Sequence, residues 1–147
     1  MQLTWEFSVV DVAVIAGIVI VIALFVVSFY FSRRLHRNEV DHKFFKERWQ
    51  QIEGLFLQKG NEMNYKLAII EADKLLDHAL TILNFPGTTT AERLQFATYK
   101  FADLKHVWWA HKVRNMVVHE VKYEISAGSA RKVVSLFKRA LKTLDCL

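Results

Sequence analysis

The apolar pattern of this chain has two regimes. Residues 12–31 run without one charged side chain, and fourteen of these twenty are Val, Ile, Leu or Phe. Crossing a hydrocarbon core of about 30 Å at 1.5 Å per residue takes about 20 apolar residues, and a helix satisfies its own backbone there. The run therefore predicts a transmembrane helix, with insertion favoured by several kcal/mol. From residue 41 onward the apolar period becomes helical and stays so. Phe45, Trp49, Ile52 and Phe56 fall at steps of 4, 3 and 4, giving one stripe over about 41–58, which Gly60 and Asn61 break.

The next segment places Tyr65, Ala68, Ile69, Ala72, Leu75, Leu76, Ala79, Leu80 and Leu83 on one face and Glu71, Lys74 and Asp77 on the other. Pro86 cannot continue a helix and pushes Phe85 out of the helical region. Thr89 with Glu92 three residues on forms a capping box for a third helix over about 90–101. A longer helix follows over about 103–120, with Leu104, Val107, Trp108, His111, Asn115 and Val118 as its expected inward stripe. Ser126 is the expected N-cap of a last helix that buries Val133, Leu136, Phe137, Ala140, Leu141 and Leu144. The expected fold is all-α: a single N-terminal transmembrane helix followed by a bundle of four to five helices.

Charge orients this arrangement. Glu6 and Asp11 precede the apolar run, and Arg33, Arg34, Arg37 and Lys43 follow it. The positive-inside rule then puts the N-terminus outside and the C-terminal domain in the cytoplasm, as in a single-pass protein of the inner membrane. A cleaved signal peptide needs a basic start and small residues at the cleavage site. The start is acidic, and residues 28–32 read Ser-Phe-Tyr-Phe-Ser. Trp5 at one end and Tyr30 and Phe31 at the other suit the two interfaces. The expected organisation is a short tail over 1–11, the anchor over 12–31, a basic juxtamembrane segment with a first cytoplasmic helix over 32–60, and the bundle over 61–147. The lone Cys146 excludes an intrachain disulfide and a cysteine-based zinc site, and suits a reducing compartment.

With few long loops, any chemistry must come from helix faces. Residues 108–120 read Trp-Trp-Ala-His-Lys-Val-Arg-Asn-Met-Val-Val-His-Glu. Arg114-Asn115 followed by three residues and His119, late in the penultimate helix of a small bundle, resembles the R-x4-H signature of HEPN domains. The upstream stretch of residues 71–77 and the Tyr-Glu-Ile-Ser connector of residues 123–126 resemble a bacterial HEPN-like group. The resemblance covers about 61–147 and leaves out the anchor and the first cytoplasmic helix. It implies a homodimer in which Arg and His residues of both protomers line one cleft that cuts RNA without metal or cofactor. Arg114 would then hold the scissile phosphate, His119 would move a proton to or from the attacking 2′-hydroxyl, and Asn115 would orient them.

Residue chemistry is compatible with these roles. Arg offers a rigid fork of donors matched to phosphate oxygens, and His serves as acid or base near neutral pH. Five steps of 100° set Arg114 and His119 about 140° apart on one helix. Dimerisation, or a helix ending near His119, is therefore part of the reading. The alternative roles are structural: His119 caps a helix C-terminus, and Asn115 ties two helices together.

His106 and His111 lack acidic or cysteine partners at metal-site spacing, so no metal site is expected. His111 beside Trp108 reads as core or interface, and of Trp108 and Trp109 one packs inward. The last helix carries Arg131, Lys132, Lys138, Arg139 and Lys142 on its outer face, which suits solvation, RNA or an anionic membrane leaflet. Two functions follow. One is a membrane-anchored HEPN-like module that binds RNA or cleaves it as a metal-independent endoribonuclease. The other is a non-enzymatic helical adaptor that docks a protein partner at the membrane. The expected partners are the lipid bilayer, a second copy, and either RNA or that protein.

Overall fold

The computed structural model describes residues 9–35, 40–56 and 61–147. The described residues are all-helical: α1 (Val9–Leu35), α2 (His42–Gly54), α3 (Glu62–Ile82), α4 (Thr90–Lys100), a 3₁₀ turn (Ala102–His106), α5 (Val107–His119) and α6 (Ala127–Thr143). Residues 9–35 and the compact unit Glu39–Leu147 are separate bodies.

Among the described residues no helix is long and apolar enough to cross a membrane. This overturns the expected single-pass inner-membrane localisation, with its outside N-terminus and cytoplasmic domain. In α1 the side chains described are those of Val12 and residues 14–28. Trp5, Glu6 and Arg37, together with the break at Gly60, lie outside the described residues, as do the side chains of Asp11, Tyr30, Phe31, Arg33 and Arg34.

The compact unit is built from helices with defined ends. Asp41 accepts from Phe44 N at 2.9 Å to start α2, and Asn61 accepts from Met63 N at 3.0 Å to start α3. Thr89 and Glu92 form the expected capping box on α4. Ser126 accepts from Ser129 N at 3.2 Å to start α6. Each such cap satisfies a donor that the first helical turn leaves free. Helix α3 stops because Asn84 turns left-handed at φ 58°, so that Asn84 N reaches Thr81 O and Phe85 N reaches Leu80 O. Asp145, at φ 57°, closes α6 in the same way through Lys142 O and Leu141 O.

Helix α3 is central and packs against α2, α4, α5 and α6. Its buried stripe includes Ala68, Ile69, Ala72, Leu76, Ala79 and Leu80, which meet Leu94, Leu104, Val107, Val133, Phe137 and Leu141. The three alanines leave room for neighbouring backbones, and the leucines fill the space between. Helix α2 belongs to the same compact unit. It buries Phe45, Trp49 and Ile52, and its Glu53 accepts from Lys138 on α6 and from the Trp49 indole. The Lys138 hydrogen bond, above all, holds the Glu53 carboxyl below the usual carboxylate range.

One element departs from the sequence reading. The expected helix over 103–120 is a 3₁₀ turn followed by α5, because the chain leaves α4 in extended conformation at Phe101 and re-enters with a Leu104 N to Phe101 O bond. A 3₁₀ turn advances 120° per residue against 100° for an α-helix. Over five residues the excess is about 100°, one residue position. Leu104, Val107 and His111 lie inward as their spacing implies and are joined by Ala110 and Val113, while Trp108 is 37% and Val118 45% exposed and Asn115 is half-buried.

Candidate site at the Asp73, His111 and Arg114 cluster

The side chain at the centre of the site lies in the register of the core. Ile69, Asp73, Leu76 and Leu80 follow one another at steps of 4, 3 and 4 on the buried face of α3. Asp73 is 1% exposed. A buried carboxylate costs several kcal/mol unless it is paired and hydrogen-bonded. Helix α5 supplies both partners, one turn apart on one face. His111 Nδ1 lies 2.7 Å from Asp73 Oδ1, and Arg114 Nε lies 3.2 Å from Asp73 Oδ2.

With the carboxylate as acceptor, His111 Nδ1 carries the proton between them. The Trp108 ring stands edge-on to His111, with centroids 6.4 Å apart at 86°. Arg114 Nε is buried and its approach to Asp73 is misaligned for a hydrogen bond, so this contact is an ion pair. Arg114 Nη1 donates to Asn115 Oδ1 at 3.0 Å. The Arg114 side chain retains 26% exposure. The guanidinium is thus held on two edges by Asp73 and Asn115 while the side chain stays partly exposed.

Of the three residues singled out in the sequence, Arg114 and Asn115 come together, both half-buried. His119 is exposed and is the last residue of α5, about 140° around the helix from Arg114. There it meets the negative end of the helix dipole favourably. Asp73 and His111 complete the cluster, and neither was expected in it. A carboxylate in the apolar register of α3 was the available signal for Asp73. His111, read as core or interface, is buried as a partner of that carboxylate.

Among the described residues no group of three His, Cys, Asp or Glu side chains is placed to hold a metal ion. Comparison with family models, curated proteins and solved structures finds no match to this chain. The fold and cluster define an all-helical bundle whose central helix carries one buried carboxylate neutralised by a neighbouring helix.

Proposed function

We propose that the compact unit is a HEPN-like module that binds RNA and cleaves it without metal, as a pair of copies. The observation that supports this reading is the fixed Arg114. Asp73 and Asn115 hold its guanidinium in place before any ligand arrives, so little side-chain freedom is lost when a phosphate binds. A second copy would bring its own His119 to that phosphate, since the two residues of one chain face different ways. His119 would take the proton of a 2′-hydroxyl as its oxygen bonds to phosphorus, and the P–O5′ bond would break with the proton returned to O5′. Arg114 would stabilise the charge that builds on the phosphoryl oxygens.

The burial of Asp73 favours a second reading, a non-enzymatic adaptor in which the cluster ties α3 to α5 and the bundle docks a protein. His119→Ala separates the two because His119 is exposed at the end of α5. In the full chain, the nuclease reading predicts that His119→Ala lowers cleavage of a single-stranded RNA by about 10²- to 10⁴-fold with melting temperature and dimer mass unchanged. It also predicts that a chelator leaves cleavage intact. Wild-type chain that neither binds nor cleaves RNA, or a His119→Ala variant as active as wild type, overturns it.

A further inference from the structure

On the side of α2 that faces α3, two helical ridges enclose a trough of about 640 Å³. Phe44, Arg48, Gln51, Ile52 and Leu55 line one wall; Leu67, Glu71, Lys74, Leu75 and His78 line the other. Both sets run at steps of 4, 3, 1 and 3, so each wall is a single stripe of eleven residue steps, about 16 Å long. Ile52 and Leu75 form a buried floor. Along the rim Phe44 is 37% and Leu67 41% exposed, apolar surface that the bundle leaves uncovered.

We infer that this trough docks an amphipathic helix of about three turns, from another protein, whose apolar stripe is flanked by carboxylates. Shape argues for a helix. Small-molecule sites bury most of their ligand, whereas this trough is open along its length and as long as a short helix. Charge chooses the kind of helix. Lys74 and Glu71 on the rim bridge each other at 2.8 Å and cancel. Among the described residues Arg48 donates to the neutral Gln51 amide, at 3.1 Å, so the rim keeps one cation in excess. His78 closes the end against the Phe44 ring, with centroids 5.3 Å apart. A second copy of this chain laid on the same face by a two-fold axis would set one cationic rim against the other. An acidic helix meets no such repulsion. The trough shares no residue with the Asp73 cluster, so this inference stands or falls apart from the RNA reading.

The probes are capped synthetic peptides of about eleven residues with Leu at i, i+3, i+4 and i+7 and Glu at the flanking positions, tested beside peptides with Lys in place of Glu. Binding to the full chain is read by calorimetry. The expected result is that Glu peptides bind and Lys peptides do not. Leu67→Glu, an exposed site where folding is not at stake, should weaken the Glu peptides about fivefold or more. Arg48→Glu should reverse the preference towards Lys peptides. Absence of binding by every Glu peptide, equal binding of Glu and Lys peptides, or indifference to both substitutions overturns the proposal. So does a dimer in light scattering that Leu67→Glu dissociates, because the occupant is then a second copy.

Discussion

Replacing Asp73 by Ala tests whether one buried carboxylate couples α3 to α5. The side chain accepts from His111 at 2.7 Å and holds Arg114 at 3.2 Å, and it is 1% exposed. Truncation leaves a buried imidazole N–H without its acceptor and a half-buried guanidinium without its counter-charge. Breaking a fully buried pair from one side costs about 3–5 kcal/mol. Because the Arg114 side chain is 26% exposed, water recovers part of that, and about 2–4 kcal/mol is expected. Asp73→Asn keeps the volume and one acceptor oxygen but loses the charge, for about 1.5–3 kcal/mol. Asp77 supplies the control: it also pairs with an arginine, Arg93 at 2.8 Å, but is 30% exposed, so Asp77→Asn should cost under about 1 kcal/mol. Urea unfolding of the full chain reads these differences. With a slope of about 1–3 kcal/mol per molar, a loss of 3 kcal/mol moves the midpoint down by about 1–3 M. If Asp73→Asn leaves the midpoint where it was, or moves it no more than Asp77→Asn, the carboxylate is not the coupling element and the reasoning fails.

Two further outcomes follow from local geometry. Gly87 sits at φ 135°, and a Cβ there would lie 2.7 Å from Glu92 Cβ and 2.8 Å from Arg93 N, so Gly87→Ala should destabilise by about 2 kcal/mol or more; an unchanged thermal midpoint would contradict this. The Cys146 thiol is pushed up to about 11 from 9.0, first by burial and then by the neighbouring Asp145 carboxylate. It should stay unmodified by a thiol reagent near pH 8 until the chain unfolds. Because its folded-state value is raised, its contribution to stability is full below about pH 9 and is lost as pH climbs towards about 11, and Cys146→Ala should flatten that alkaline limb of a pH–stability curve.

Much of the bundle was legible in the order of the residues because helical period and capping chemistry act locally. The stripe from Tyr65 to Leu80 lies buried as its spacing implied, and Thr89, Glu92 and Ser126 cap where short-range rules put them. The candidate site was less legible because it depends on rotation about α5, which is set outside α5. Continued as an α-helix from Asp103, the segment would turn Trp108, Asn115 and Val118 inward. The 3₁₀ turn leaves Val107 buried as expected, turns Trp108 and Val118 outward and leaves Arg114 and Val117 half-buried. In this phase His111 is buried and Arg114 reaches Asp73. The arrangement therefore hangs on five residues, Ala102–His106, whose spacing alone does not separate a 3₁₀ turn from the start of an α-helix. The same rotation explains why the motif's two ends part. Bringing Arg114 to Asp73 turns His119 towards solvent, so a function that needs both side chains on one phosphate needs a second copy to supply the other half.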